Sequence, residues 1–292
     1  LMADGTRFTD KAGWETMEFR DECRNRDPRL AQSIRTPGYT RINSTKVEVP
    51  SLSTCMTGYQ PIKFVAPADF GSDGYNLSYT DLPIIRTAEI YLNYAEAKAE
   101  LGTLTKDDLL ISIDRIRDRA GMKGLDMAAA NANPDPFLLA CYPNVTKSEN
   151  TGVILEIRRE RTIELVMEGL RMWDMFRWKE GAQLVNETNP YYGIYFSGPG
   201  LYDMDGDKND LELYVDKQTS SPADGLTVLR IGSDIILSDM AENRGYVVAW
   251  STLKYTWNEE RDYLWPIPAD QRVLTGGLLT QNPGWTDSTD FD

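Results

Sequence analysis

The sequence predicts a mainly α fold: helical hairpins joined by long irregular loops, with short β-strands. Three observations predict it. Residues 86–102 (RTAEIYLNYAEAKAELG) and 105–121 place apolar side chains every three to four positions, the period of a helix face. Residues 154–179 (ILEIRRERTIELVMEGLRMWDMFRWK) do the same, with Arg, Glu and Asp interleaved. The intervening stretches 36–83 and 182–265 lack helical periodicity. We read residues 1–292 as one region, with 84–121 and 153–181 as helical core and 36–83 and 182–265 as loop and β excursions.

Residues 1–35 carry a helix signal in Phe8, Ala12, Glu15/Thr16 and Phe19, capped by Thr9 or Asp10 and ended at Asp27-Pro28. In 36–83, Pro and Gly break any helix, and Lys46–Val49 and Ile62–Val65 read as short strands. In 86–102, Thr87 is the expected N-cap and Gly102 the stop. Ile90, Tyr91, Tyr94 and Leu101 form one face, and Ala88, Leu92, Ala95 and Ala99 a second face of small residues. Thr105 and Asp108 form a capping box for the next helix, which Gly121 ends. The short loop makes the two helices antiparallel neighbours, a tetratricopeptide-like hairpin. Residues 122–152, with Pro134, Pro136 and Pro143, read as a loop.

The stretch 154–179 is the organising element, read as one helix with a break or close contact at Gly169. Its stripe is Ile163, Val166/Met167, Leu170, Trp173 and Phe176/Met175, expected to face the core. Glu160, Glu164 and Glu168 form an acidic row, and Arg161, Arg171 and Arg177 can reach its members or Asp174. With Arg and acid nearly balanced, each carboxylate has a partner and a low pKa, so the cluster reads as structural; a general acid needs the opposite surroundings.

Composition removes several functions. The net charge of −14 and pI near 4.6 argue against nucleic acid and against docking on anionic lipid. With no His in the chain, His-based triads and the ordinary His-containing zinc sites are excluded. Cys23, Cys55 and Cys141 lack CxxC spacing, which leaves one disulfide plus a thiol, or three thiols. No apolar run is long enough to span a membrane as a helix.

Two kinds of candidate site remain. Aromatic residues in Gly/Pro-rich loops are binding candidates, because loops carry function more often than packing. The first group is Tyr39, Tyr59 and Tyr75, with Asn43, Gln60 and Asn76 nearby. The second is NPYYGIYFSGPGLY (189–202), with Tyr191, Tyr192, Tyr195, Phe196 and Tyr202; packing of these rings on the body is the competing reading. Trp250 and Trp257 rank lower. Separately, Asp203, Asp205, Asp207 and Asn209 resemble the start of a calcium loop. Lys208 stands where such a loop has Gly and Tyr214 where it has Glu, so a solvated acidic turn competes with calcium. No other cofactor is expected.

Three segments together resemble the SusD/RagB family: LPIIRTAEIYLNYAEAKAELG (82–102), ILEIRRERTIELVMEGLRMWDMFRWKEG (154–181) and DYLWPIPADQRVLTGGLLTQNPGW (262–285). RNRDPRL (24–30) also fits, so the resemblance covers most of the chain, as the C-terminal half of the family pattern. It implies a surface lipoprotein of the Bacteroidetes outer membrane, mostly helical and not an enzyme. Such a protein binds a glycan, or in some members a peptide, and hands it to a SusC-like TonB-dependent transporter. Family members are about twice this length, and their lipidated Cys lies in an N-terminal half absent from these residues. The chain is therefore expected to be a fragment, with apolar helix faces exposed. The resemblance fixes no ligand-contact residue; the tyrosines above are chosen by chemistry alone. A glycoside hydrolase is the rival reading, but no carboxylate here stands among apolar residues without an Arg nearby.

Overall fold

The structure, a computed structural model, describes residues 1–70, 77, 80–185, 191–221 and 225–286. It is helix-rich with two small sheets. The N-terminal segment forms 3₁₀ turns at Phe8–Asp10 and Trp14–Thr16, then α1 (Phe19–Glu22) and α2 (Arg29–Ser33). The single helix expected there does not form, because Gly13 sits at φ 73° and turns the chain. Among the described residues of 36–83 only isolated bridges appear, Thr40 with Val47 and Ile34 with Pro61; neither expected strand forms.

The helical body contains α3 (Thr87–Glu100), α4 (Lys106–Leu110), α5 (Ile113–Arg119), α6 (Met127–Ala132), α7 (Pro136–Cys141), α8 (Thr151–Glu164), α9 (Arg171–Arg177) and α10 (Ala182–Val185). The small-residue face of α3 is buried as expected, through Ala88, Leu92, Ala95 and Ala99, and α3 packs along α8. Its other face stays open, with Ile90, Tyr94 and Leu101 exposed. The N-cap is Arg86 rather than Thr87, while Gly102 takes the left-handed stop at φ 70°. The capping box of Thr105 and Asp108 forms, but the helix it starts is interrupted at Ile111 and Ser112, giving α4 and α5. Residues 122–152 hold two helices where a loop was expected. Asp126 and Asp135 cap them, and Pro136 occupies the first turn of α7, where its missing N–H costs nothing.

The organising stretch is two helices. Met167 (φ 62°) and Gly169 (φ 77°) break it between α8 and α9, and no neighbour crowds Gly169. The expected stripe holds only in part: Met175 is buried and Leu170 packs on the core, but Val166, Met167 and Trp173 are exposed, while Leu165 and Trp178, outside the stripe, are buried. Helix α8 is the centre of the body, burying Val153, Ile154, Leu155 and Ile157 together with Arg158, Glu160, Arg161 and Glu164. Buried charge is tolerable only when paired, and it is paired here. Glu160 meets Arg29 at 2.9 Å and Arg117 at 2.7 Å. Glu164 meets Arg86 at 2.6 Å and Arg119 at 2.7 Å, and Arg161 grips Asp174 through two bonds of 2.8 and 3.0 Å. The partners of the acidic row therefore come from distant elements; within the stretch, Arg161 and Arg177 reach Asp174.

The strands follow: β1 (Tyr192–Phe196), β2 (Gly200–Tyr202), β3 (Leu211–Tyr214), β4 (Thr227–Arg230), β5 (Leu237–Asp239) and β6 (Arg244–Val248). One antiparallel sheet has the order β1-β6-β5; the other runs β2-β3-β4, with β3 and β4 parallel. Ile194, Phe196, Leu213, Leu237 and Val247 pack with Phe19 and Leu52 into a second core. A last helix, α11 (Ala269–Leu274), follows, and the C-terminal segment is tied to α9 by Trp257 and Tyr263 against Phe176.

Candidate functional site

A cavity of about 440 Å³ opens between the N-terminal turns, helices α7 and α8, and Tyr246 of β6. Rings dominate its wall: Phe8, Trp14, Tyr59, Phe137, Tyr142 and Tyr246. Trp14 is central, edge-on to Phe8 at 6.2 Å and to Phe137 at 5.9 Å. The 3₁₀ turns that replace the expected N-terminal helix are what bring Phe8 and Trp14 here.

Tyr246 joins this wall to a rack of tyrosines on the sheet. Tyr192 stacks on it at 5.1 Å with 12° between planes, and Tyr195 meets it edge-on at 5.5 Å. Residues three apart on a regular strand point to opposite faces. The register between β1 and β6 slips by one between Tyr192 (opposite Val248) and Tyr195 (opposite Tyr246), and this bulge puts both rings on Tyr246. Gly193 permits it: a side chain there would overlap the backbone of Thr57, which accepts the Ile194 N–H at 2.8 Å.

Polar groups sit among the rings. The Tyr59 hydroxyl donates to Glu22 at 2.8 Å. Burial pushes both groups above their ordinary pKa, and for Tyr59 the Glu22 charge adds to the effect. Asp135 is fully engaged: it caps α7 through the Phe137 N–H and pairs with Arg159 and with Arg7 at 3.4 Å. Arg26 lies 3.7 Å above the Phe8 ring, and burial lowers its pKa. The Arg171 guanidinium donates to Thr162 Oγ1 at 3.2 Å and lies 5.4 Å from the Tyr142 ring centre. Rings that bury an apolar body beside hydrogen-bonding groups suit a ligand with flat C–H faces rimmed by hydroxyls.

Of the tyrosines chosen from sequence, the structure brings together Tyr59, Tyr192 and Tyr195. Tyr39 lies apart, 5.7 Å from Arg35, and exposed Tyr191 packs edge-on to Tyr255. Tyr75 and Asn76 lie outside the described residues. Asn43 and Gln60 are spent on Asp69 and the Ser51 N–H. Phe196 and Tyr202 are buried, packed on each other at 4.8 Å. Trp250 is exposed beside Leu52 and Met56 in a separate hollow, and Trp257 packs on Phe176. Sequence reasoning missed Trp14, Phe137, Tyr142 and Tyr246. Only Tyr246 had a usable signal, the alternation of Tyr246 with buried Gly245 and Val247 along a strand.

The acidic turn gathers Asp203, Asp205, Asp207 and Asp210, with a carboxylate oxygen of each within 4.8 Å of the others. Asp210 thus stands where the sequence reading placed Asn209. Asp203 also pairs with Arg20. Burial, with neighbouring carboxylates adding to it, raises the pKa of Asp205 and Asp210. An oxygen-rich donor set of this kind suits a hard cation such as calcium.

A family model described as the SusD family matches residues 1–285. The chain belongs to the SusD family. Two solved structures share its fold, both from Bacteroides fragilis NCTC 9343. One is a SusD-like protein with 24% identity and a TM-score of 0.57, covering 98% of this chain and 45% of its own. The other, a SusD-like carbohydrate binding protein, has 22% identity and a TM-score of 0.52, covering 94% of this chain and 45% of its own. This SusD-family chain therefore spans less than half the length of either. No curated protein gives a significant match. Among the described residues, no helix of this SusD-family chain is long and apolar enough to cross a membrane.

Proposed function

We propose that this chain binds an extracellular glycan in the aromatic cavity without chemically altering it. In this reading it works at the outer-membrane surface and delivers the glycan to a SusC-like TonB-dependent transporter. The observation that carries the proposal is the wall of Trp14, Phe137, Tyr142, Tyr59 and Tyr246 around about 440 Å³. Stacking rings supply affinity for sugar faces, and Arg171 and Thr162 supply polar contacts. Family membership and the carbohydrate-binding description of one structural relative support it. Glu22, with its raised pKa, is the feature a glycoside hydrolase would share; its candidate counterpart Asp135 is committed to two Arg and a helix cap. The tetratricopeptide-like pairing of α3 with α4 and α5 belongs to the same proposal, supported by the short turn between them. So does calcium at Asp203, Asp205, Asp207 and Asp210, supported by their convergence.

The test is calorimetric titration against a panel of polysaccharides, with a mixed peptide pool as control and product analysis after long incubation. Heat from a glycan without product is expected, reduced roughly tenfold in affinity by Trp14→Ala or Tyr246→Ala. Heat from peptides alone would move the ligand class to peptide. Product formation would sink the non-catalytic reading.

A further inference from the structure

The chain carries a net charge of −14, yet three guanidinium groups and only two carboxylates line the aromatic cavity. The two carboxylates are taken up inside its wall. Asp135 is bound by Arg159 and Arg7, and Glu22 accepts the Tyr59 hydroxyl, with Arg26 at 3.9 Å. Arg171 is different. Among the described residues its one side-chain hydrogen bond is to Thr162 Oγ1, and no carboxylate pairs with it. It is held in place by neutral groups: the Tyr142 ring at 5.4 Å and the Trp178 ring at 5.8 Å. Thr162 is itself fixed, donating to the Arg158 carbonyl at 2.8 Å. A guanidinium has five N–H donors in a planar fork that matches an oxyanion, and here a single one is used among the described residues.

We propose that the glycan this cavity takes is anionic, with its carboxylate or sulfate held by Arg171 while its ring stacks on the aromatic wall. The inference rests on the glycan-binding reading and narrows it to uronate-bearing or sulfated saccharides. Arg171 fixes the anion as a charge-assisted fork, and Thr162 and Tyr142 keep the fork from turning toward solvent. A neutral sugar in the same place would leave those donors unmatched.

The experiment is binding of the full chain to a glycan array of neutral, uronate-bearing and sulfated oligosaccharides. Calorimetry then compares a tetragalacturonide, its carboxyl-reduced neutral counterpart and a carrageenan oligosaccharide. Preference for an anionic member is expected, with roughly 10- to 100-fold weaker binding in Arg171→Gln. Arg171→Lys should recover part of the preference, which separates lost charge from lost packing. The uronate and sulfate arms show which anion the fork takes. Neutral binding equal to or tighter than anionic binding would overturn this inference and leave glycan binding standing. An anionic preference that survives Arg171→Gln at unchanged melting temperature would also overturn it. Silence across the array would overturn both readings.

Discussion

Replacing Glu160 by Gln is expected to destabilise the fold by about 3–5 kcal/mol, the cost of breaking a buried ion pair from one side. Glu160 has no exposed surface, and its partners Arg29 and Arg117 are 3% and 4% exposed. The loss falls unequally. Arg29 keeps Asp27, which it holds at 2.6 Å and also at 3.0 Å through Nε, and retains Glu164 at 3.4 Å. Arg117 keeps only Glu156, at 3.8 Å, beyond hydrogen-bond reach. Most of the cost is therefore the stranded charge of Arg117. The assay is urea unfolding of the wild type, Glu160→Gln, Arg117→Met and the double variant. The double variant should be more stable than the sum of the single losses predicts, by 2 kcal/mol or more on the order of the buried-pair coupling. A loss below about 1 kcal/mol for Glu160→Gln, or strict additivity, would refute the view that α8 is held by dry ion pairs.

Gly152→Ala should cost roughly 1–3 kcal/mol or more in unfolding experiments, because a Cβ there overlaps the Ala130 carbonyl where α8 crosses α6; a neutral change would mean α6 moves freely. Glu22→Gln should gain stability relative to wild type as pH rises above the ordinary carboxylate range, and lose that advantage below it. Burial raises the Glu22 pKa, so the folded state holds its proton longer than the unfolded state and wild-type stability falls as pH climbs through that window; melting curves at pH 4 and 7.5 with equal differences would contradict this. Calcium should raise the melting temperature in a concentration-dependent way, and Asp205→Asn with Asp207→Asn should abolish the rise; a flat response would remove the cation reading. Tyr192→Ala should weaken glycan binding with little change in stability, since its ring is half exposed; unchanged affinity would place the ligand away from the sheet.

Local signals in the sequence were sufficient where a few neighbouring residues decide the outcome. Thr105 with Asp108, the left-handed Gly102, the small-residue face of α3 and the break near Gly169 are all of this kind. The pairing of the acidic row Glu160, Glu164 and Glu168 was also legible, but not its partners, and the low pKa expected of every carboxylate in the stretch fails at Glu156, which burial pushes up. Arg29 with Glu160 and Arg86 with Glu164 are set by tertiary packing across long stretches of chain. The helices after Asp126 and Asp135 were lost because Pro136 reads as a breaker until its position in the first turn is recognised. The cavity was least legible. Its rings come from two 3₁₀ turns, α7 and β6, and a strand bulge leaves no compositional trace beyond Gly193.

That bulge makes chain length a control on the binding wall. Tyr192 and Tyr195 have odd spacing on an element whose faces alternate, so they share a face only while β6 is one residue short against them. One residue inserted in β6 opposite the slip would restore even pairing and turn Tyr192 to the far side of the sheet, with no aromatic side chain altered. The number of rings offered beside the cavity is thus a matter of parity, adjustable by insertion or deletion independently of which amino acids are present.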